Sequence, residues 1–105
     1  MASRIDIGFN QSSLQCFYFI EDAPAEIGDK IVAYNGDIPV GYREWNGPNT
    51  DIPVMGDDNS DLTEGYLNIG DIPQFKLLKR SGRFINLSGE IPSWQNLEFN
   101  FLTLQ

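Results

Sequence analysis

The residues best equipped for chemistry lie between Gly56 and Glu64. Asp57, Asn59 and Asp61 alternate there, and Thr63 and Glu64 add further oxygens. Alternating carboxylate and amide oxygens open a calcium loop, because Ca2+ takes roughly six to eight oxygen ligands. The pattern then leaves the helix–loop–helix calcium motif. Leu62 stands where the sharp turn needs glycine, and Asn68 stands where a bidentate glutamate belongs. Asp57, Asn59, Asp61 and Glu64 are therefore candidate ligands for calcium held in another loop geometry, and calcium is the one cofactor the sequence offers. The same side chains have a purely structural use, which is to accept hydrogen bonds from the N–H groups of their own turn.

Other chemistries are poorly supplied. There is no histidine, and Cys16 is the one cysteine. A histidine-based triad and a Cys/His zinc site are both excluded, and the expectation is a protein that is not an enzyme. Cys16 sits in the apolar run 14–20, where a thiol packs as a small hydrophobe. Tyr42, Trp45, Tyr66 and Trp94 have ring faces that could stack on sugars, so glycans are a second candidate ligand class, although such residues equally build cores. Arg43 lies close enough to Trp45 in sequence for a cation–π pair. Asn10-Gln-Ser12 and Asn86-Leu-Ser88 fit the glycosylation sequon, which makes Asn10 and Asn86 candidate acceptors.

The net charge is -8 over 105 residues. That balance opposes nucleic-acid binding, which depends on neutralising phosphates, and it opposes docking on anionic membranes. No apolar stretch reaches the length of a membrane span, so no membrane insertion is expected. The opening Met1-Ala-Ser-Arg-Ile-Asp lacks the apolar run of a signal peptide. An exported chain would use another route or have lost its leader. Lys76, Lys79, Arg80 and Arg83 gather the basic charge late, while Asp51, Asp57, Asp58, Asp61 and Glu64 gather acid in the middle. Opposite poles on identical subunits attract head to tail, and contacts of that kind close into rings or extend into filaments.

The elements that must position these residues read as strands. Ile5, Ile7 and Phe9 alternate with polar residues at period two. The run 14–20 reads as a central buried strand. Asn35-Gly36 is a hairpin signal after Ile31 to Tyr34. Further strands are expected at 39–45, 51–55 and 73–78. In the last strand Leu97, Phe99 and Phe101 are expected on the core side, with Glu98 and Asn100 opposite. The alternation slips at Leu102 and Leu104, which a bulge or two-sided burial would explain. No window has a helical period. Glycines and prolines are scattered throughout, and about eight or nine short strands are expected. The predicted fold is all-β: one antiparallel β-sandwich over 1–105, of jelly-roll or immunoglobulin-like type.

A short motif recurs as Gly36-Asp-Ile-Pro39, Thr50-Asp-Ile-Pro53, Gly70-Asp-Ile-Pro73 and Gly89-Glu-Ile-Pro92. The copies are 14, 20 and 19 residues apart, too irregular for a solenoid. Proline holds the preceding isoleucine extended and cannot donate to a ladder, so each copy is expected to open a strand or lie on an edge.

The ordered set Tyr34-Asn-Gly-Asp-Ile-Pro-Val-Gly-Tyr-Arg-Glu-Trp45, Asp51-Ile-Pro-Val-Met-Gly-Asp-Asp58, Thr63-Glu-Gly-Tyr66 and Gly70-Asp-Ile-Pro-Gln-Phe-Lys76 resembles a small β-sandwich module. That module is found, often in tandem, in secreted or surface proteins of aquatic bacteria. The resemblance spans about residues 14–95. It implies an extracellular or cell-surface setting and a role in adhesion or assembly. In that module a cysteine commonly precedes the Val-Gly pair, where this chain has Pro39, and further cysteines commonly follow the tryptophan. Without those disulfides, another staple such as subunit contacts or a metal is expected.

These readings converge on a non-catalytic structural protein that assembles with copies of itself. The N-terminal strand 1–9, with Ile5, Ile7 and Phe9, would add to a neighbour's edge, and Lys76, Lys79, Arg80 and Arg83 would meet a neighbour's acidic region. The alternative is an extracellular adhesion module that binds calcium or glycan.

Overall fold

The computed structural model describes residues 8–105. Ile5 and Ile7, and with them most of the expected opening strand, lie outside the described residues. Phe9 is described; it is half-buried and outside any strand. Seven strands follow: β1 (Gln15–Asp22), β2 (Lys30–Asn35), β3 (Ile38–Glu44), β4 (Thr50–Met55), β5 (Gln74–Leu78), β6 (Phe84–Asn86) and β7 (Phe99–Thr103). A single 3-10 turn, Asp61–Thr63, is the only helical element among the described residues. The chain is all-β, and its strands form two sheets packed as a sandwich, in the orders β4-β1-β7 and β3-β2-β5-β6. All pairs are antiparallel except β1 with β7, which is parallel.

Strand β1 is central in its sheet because its sequence suits both faces. Cys16, Tyr18 and Ile20 alternate inward and are fully buried, while Phe17 and Phe19 point to the outer face and are half-buried. β2 is flanked on both sides and reads apolar from Ile31 to Tyr34. The expected hairpin into β3 forms, but one residue later than Asn35-Gly36: Asn35 pairs with Ile38, and Gly36-Asp37 make the turn, with Gly36 at a left-handed φ of 62°.

The turn 46–49 carries the chain from one sheet to the other. Thr50 Oγ1 donates to the Gly47 carbonyl at 2.6 Å and accepts from the Asn46 N–H at 3.1 Å. β3 and β4 then lie side by side and close that flank of the sandwich. The approach requires glycine at position 41, since a Cβ there would drive into the Pro53 carbonyl. Arg43 seals the seam with Nε 3.0 Å from the Asp51 carbonyl and Nη2 3.4 Å from its carboxylate. The expected Arg43–Trp45 pair is thus replaced: Trp45 is buried, and the guanidinium finds stronger acceptors on β4.

The Ile-Pro motifs divide. Ile38-Pro39 opens β3 and Pro73 directly precedes β5, as expected. Pro53 lies inside β4, opposite Phe17, and is tolerated because β4 is an edge strand that donates on one side only. Ile91-Pro92 falls in an irregular segment, where the Pro92 carbonyl accepts from the Tyr18 hydroxyl at 2.8 Å.

The largest departure from expectation is β7. Leu102 and Leu104 enter the core, while Phe99 and Phe101 stand on the outer face, 63% and 60% exposed. Because side chains alternate along a strand, a one-residue choice of register moves the whole set across the sheet. The interior already holds Tyr18, Phe75 and Trp94, and the two leucines complete it. Asn100 also faces inward and is satisfied there, its Nδ2 donating to Cys16 Sγ at 3.1 Å. The expected slip in alternation is absent: Asn100, Leu102 and Leu104 face inward in turn, and the one register shift lies in β1, between Ile20 and Asp22.

Leu97, just before β7, has a left-handed φ of 64° while its side chain is 72% exposed. A branched L-residue in that region costs roughly 1–2 kcal/mol. Leu97→Gly removes the strain and loses almost no burial. It is expected to raise stability by about 0.5–1 kcal/mol after the added unfolded-state entropy, measured by urea denaturation.

Candidate functional site

The acidic loop is built around Asp58, which the sequence-based list of ligands omits. Asp58 Oδ1 accepts from the Ser60 N–H at 3.1 Å and from Thr63 Oγ1 at 2.7 Å, while Oδ2 accepts from the Ser13 N–H at 3.2 Å. These bonds, those from Ser60 and Thr63 foremost, hold its carboxyl well below the usual carboxylate range. Asp57 Oδ1 caps the turn through the Asn59 N–H at 2.8 Å. The structural use of these side chains is therefore present in detail.

Asp57, Asn59, Asp61 and Glu64 do share one rim. With Ser60 they line an open depression of about 230 Å3. Among the described residues, no three histidine, cysteine, aspartate or glutamate side chains converge closely enough to hold a metal ion. The loop brings the four candidates to one surface without aiming their oxygens at one point.

The other candidates separate. Trp45, Tyr66 and Trp94 are buried and only Tyr42 reaches the surface, so the four rings form no platform for sugars. Trp94 Nε1 donates to the Val54 carbonyl, and Tyr66 Oη accepts the Asn10 N–H. Asn10 is exposed, but its Nδ2 donates to the Leu62 carbonyl at 2.8 Å; Asn86 is exposed on β6. Of the basic residues, Lys79 is spent inside the molecule, 2.8 Å from Asp29 and 3.1 Å from Glu26. Lys76 lies over the Tyr34 ring at 4.7 Å. Arg80 and Arg83 are exposed. Burial raises the pKa of both Cys16 and Tyr18, so neither supplies an ionised nucleophile near neutrality.

The feature that sequence reading missed is the outer face of β1 and β7. Phe17 meets Phe99 edge-on at 5.5 Å, Phe19 meets Phe99 edge-on at 5.9 Å, and Phe19 stacks on Phe101 at 4.9 Å. Four phenylalanines thus run along one sheet face, two of them mostly exposed. The signal was present in the unbroken apolar run of β1, whose odd positions are as aromatic as its even positions are core-like. Exposed apolar patches of this kind mark contact surfaces more often than single exposed residues do. The described chain carries no helix long and apolar enough to cross a membrane.

No protein-family model, curated protein or solved structure matches this chain.

Proposed function

We propose that this chain is a non-catalytic structural protein that assembles with copies of itself by strand addition. The observation that carries the reading is the aromatic face of β1 and β7, bordered by the β7 edge at Phe99 and Phe101, which has no strand partner among the described residues. Such a face gains most when a second apolar surface covers it. Charge adds direction: Arg80 and Arg83 lie exposed on and beside the β5–β6 turn, and Asp61 and Glu64 are exposed on the acidic loop. A neighbour's acidic loop meeting those arginines gives a head-to-tail contact that repeats. An extracellular or cell-surface setting fits the module that the ordered Ile-Pro and Val-Gly motifs resemble.

Removing residues 1–8, while keeping Phe9 on its Tyr42 contact, is expected to convert assemblies to monomers in light scattering. Fluorescence of the buried Trp45 and Trp94 checks that the domain stays folded. Assemblies that persist unchanged would overturn the reading.

A further inference from the structure

We infer that the open edge of β7 is the acceptor in this assembly, and that its occupant is the segment 1–8 of a second copy. The inference rests on the self-assembly reading and adds where the strand lands.

The four sheet edges are not equivalent. β3 and β4 close on each other and each carries a proline, Pro39 and Pro53. β6 is only three residues long. β7, Phe99-Asn-Phe-Leu-Thr103, has no proline, lysine or arginine to blunt it; Ser88 and Gly89 cover its Thr103 end and leave the stretch at Phe99 and Phe101 open. The Phe17 N–H donates to the Glu98 carbonyl at 2.9 Å, so Glu98, Asn100 and Leu102 turn their backbone groups toward β1. By alternation, Phe99 and Phe101 turn theirs to the outer edge. A strand laid there gains main-chain bonds and extends the aromatic face in one step. The strained, exposed Leu97 marks the start of this edge, where stored backbone strain accompanies a working surface.

The segment 1–8 suits the edge in pattern. Ile5 and Ile7 fall on one face of an extended chain, where they continue the ladder of Phe99 and Phe101. Arg4 and Asp6 fall on the other.

The second copy is favoured over the chain's own segment by reach. Phe9 packs edge-on against Tyr42 of β3 at 5.9 Å, on the flank opposite β7. Crossing β4, β1 and β7 takes about 15 Å at a strand spacing of ~4.8 Å. At ~3.3 Å per residue, Ile7 and Ile5 of the same chain lie at most about 7 and 13 Å from Phe9, short of their own β7 edge. Donor on one flank and acceptor on the other give an open, repeating contact.

The test is disulfide trapping between full-length chains. One chain carries Ile5→Cys or Ile7→Cys, and the other carries Phe99→Cys or Phe101→Cys. Neighbouring strands place Cα atoms about 4.5–5.5 Å apart, within disulfide range. Mild oxidation of the mixture is expected to give an intermolecular bond between the segment and β7, identified by mass spectrometry of the fragments. Phe84→Cys on β6 serves as the control and is expected to give none. Assemblies that form without any segment–β7 bond, or that bond Phe84→Cys equally, would overturn the acceptor and leave self-assembly standing. A segment–β7 bond found only within one chain would overturn the second copy as occupant. Wild-type chain that stays monomeric in light scattering at all concentrations would overturn both.

Discussion

Trp94→Ala is expected to lower stability by about 3–5 kcal/mol, the usual cost of deleting a buried tryptophan side chain. A domain of this size holds only about 5–15 kcal/mol in all, so much of its margin goes. Trp94 is 1% exposed and stands in the irregular segment between β6 and β7. There three long-range hydrogen bonds anchor it. Its N–H donates to the Asp71 carbonyl at 2.7 Å, its carbonyl accepts from the Gly70 N–H at 3.0 Å, and Nε1 donates to the Val54 carbonyl at 2.9 Å. The ring also presses on Gly56, where any side chain would collide with it. Removing the ring therefore opens a cavity and frees the segment that delivers β7 to β1. Trp94→Phe separates the two effects. It keeps most of the volume and leaves the Val54 carbonyl without its donor, for an expected loss of about 1–3 kcal/mol. Urea denaturation followed by far-UV circular dichroism measures both. A Trp94→Ala loss below that of Trp94→Phe would contradict the assignment.

Asp29→Ala is expected to cost about 3 kcal/mol, the low end for breaking a buried charged pair, because Lys79 keeps Glu26 and some solvent. The Asp29 side chain is 2% exposed. Oδ2 accepts from Lys79 Nζ at 2.8 Å and the Glu26 N–H at 2.9 Å, and Oδ1 accepts from the Arg80 N–H at 3.1 Å. One carboxylate thus ties the β1–β2 loop to the β5–β6 turn. Burial alone would raise its pKa. The Lys79 ammonium and the Glu26 and Arg80 N–H groups outweigh that and lower it. A lowered folded pKa means stability that is fully present above the unfolded value, about 3.9, and lost as pH falls through the folded value. Asp58 is lowered too and titrates on the same side. Wild type is therefore expected to lose stability steeply below about pH 4, and Asp29→Asn to flatten part of that slope while Asp58 keeps the rest. An unchanged slope in Asp29→Asn, from urea midpoints at a series of pH values, would count against this role.

The acidic loop shows how far residue types alone reach. Asp57, Asn59, Asp61 and Glu64 do line one depression, so their proximity was legible from spacing within a single loop. The role of Asp58 was not, because its partner Ser13 is 45 residues away in sequence. Lys79 repeats the lesson: its basic neighbours suggested a surface pole, but Asp29, 50 residues away, takes its charge inside the fold. Phe9 reads from sequence as part of a strand, and its packing on Tyr42 instead depends on a contact no local pattern encodes.

By itself the sequence determined the all-β class, most strand positions, the hairpin between β2 and β3 and the burial of Cys16. Each of these follows from local physics: period-two alternation, turn residues that accept positive φ, and apolar runs too short for helices. Only the tertiary structure decided which face of β7 is inside. The strand carries Phe99 and Phe101 on one side and Leu102, with Leu104 just beyond, on the other, and both sides are apolar enough to be buried. Local pattern cannot choose between two apolar faces. The choice was made by the space left around Tyr18, Phe75 and Trp94 and by the parallel register with β1. It turned Phe99 and Phe101 outward beside Phe17 and Phe19, onto a surface that a partner can cover.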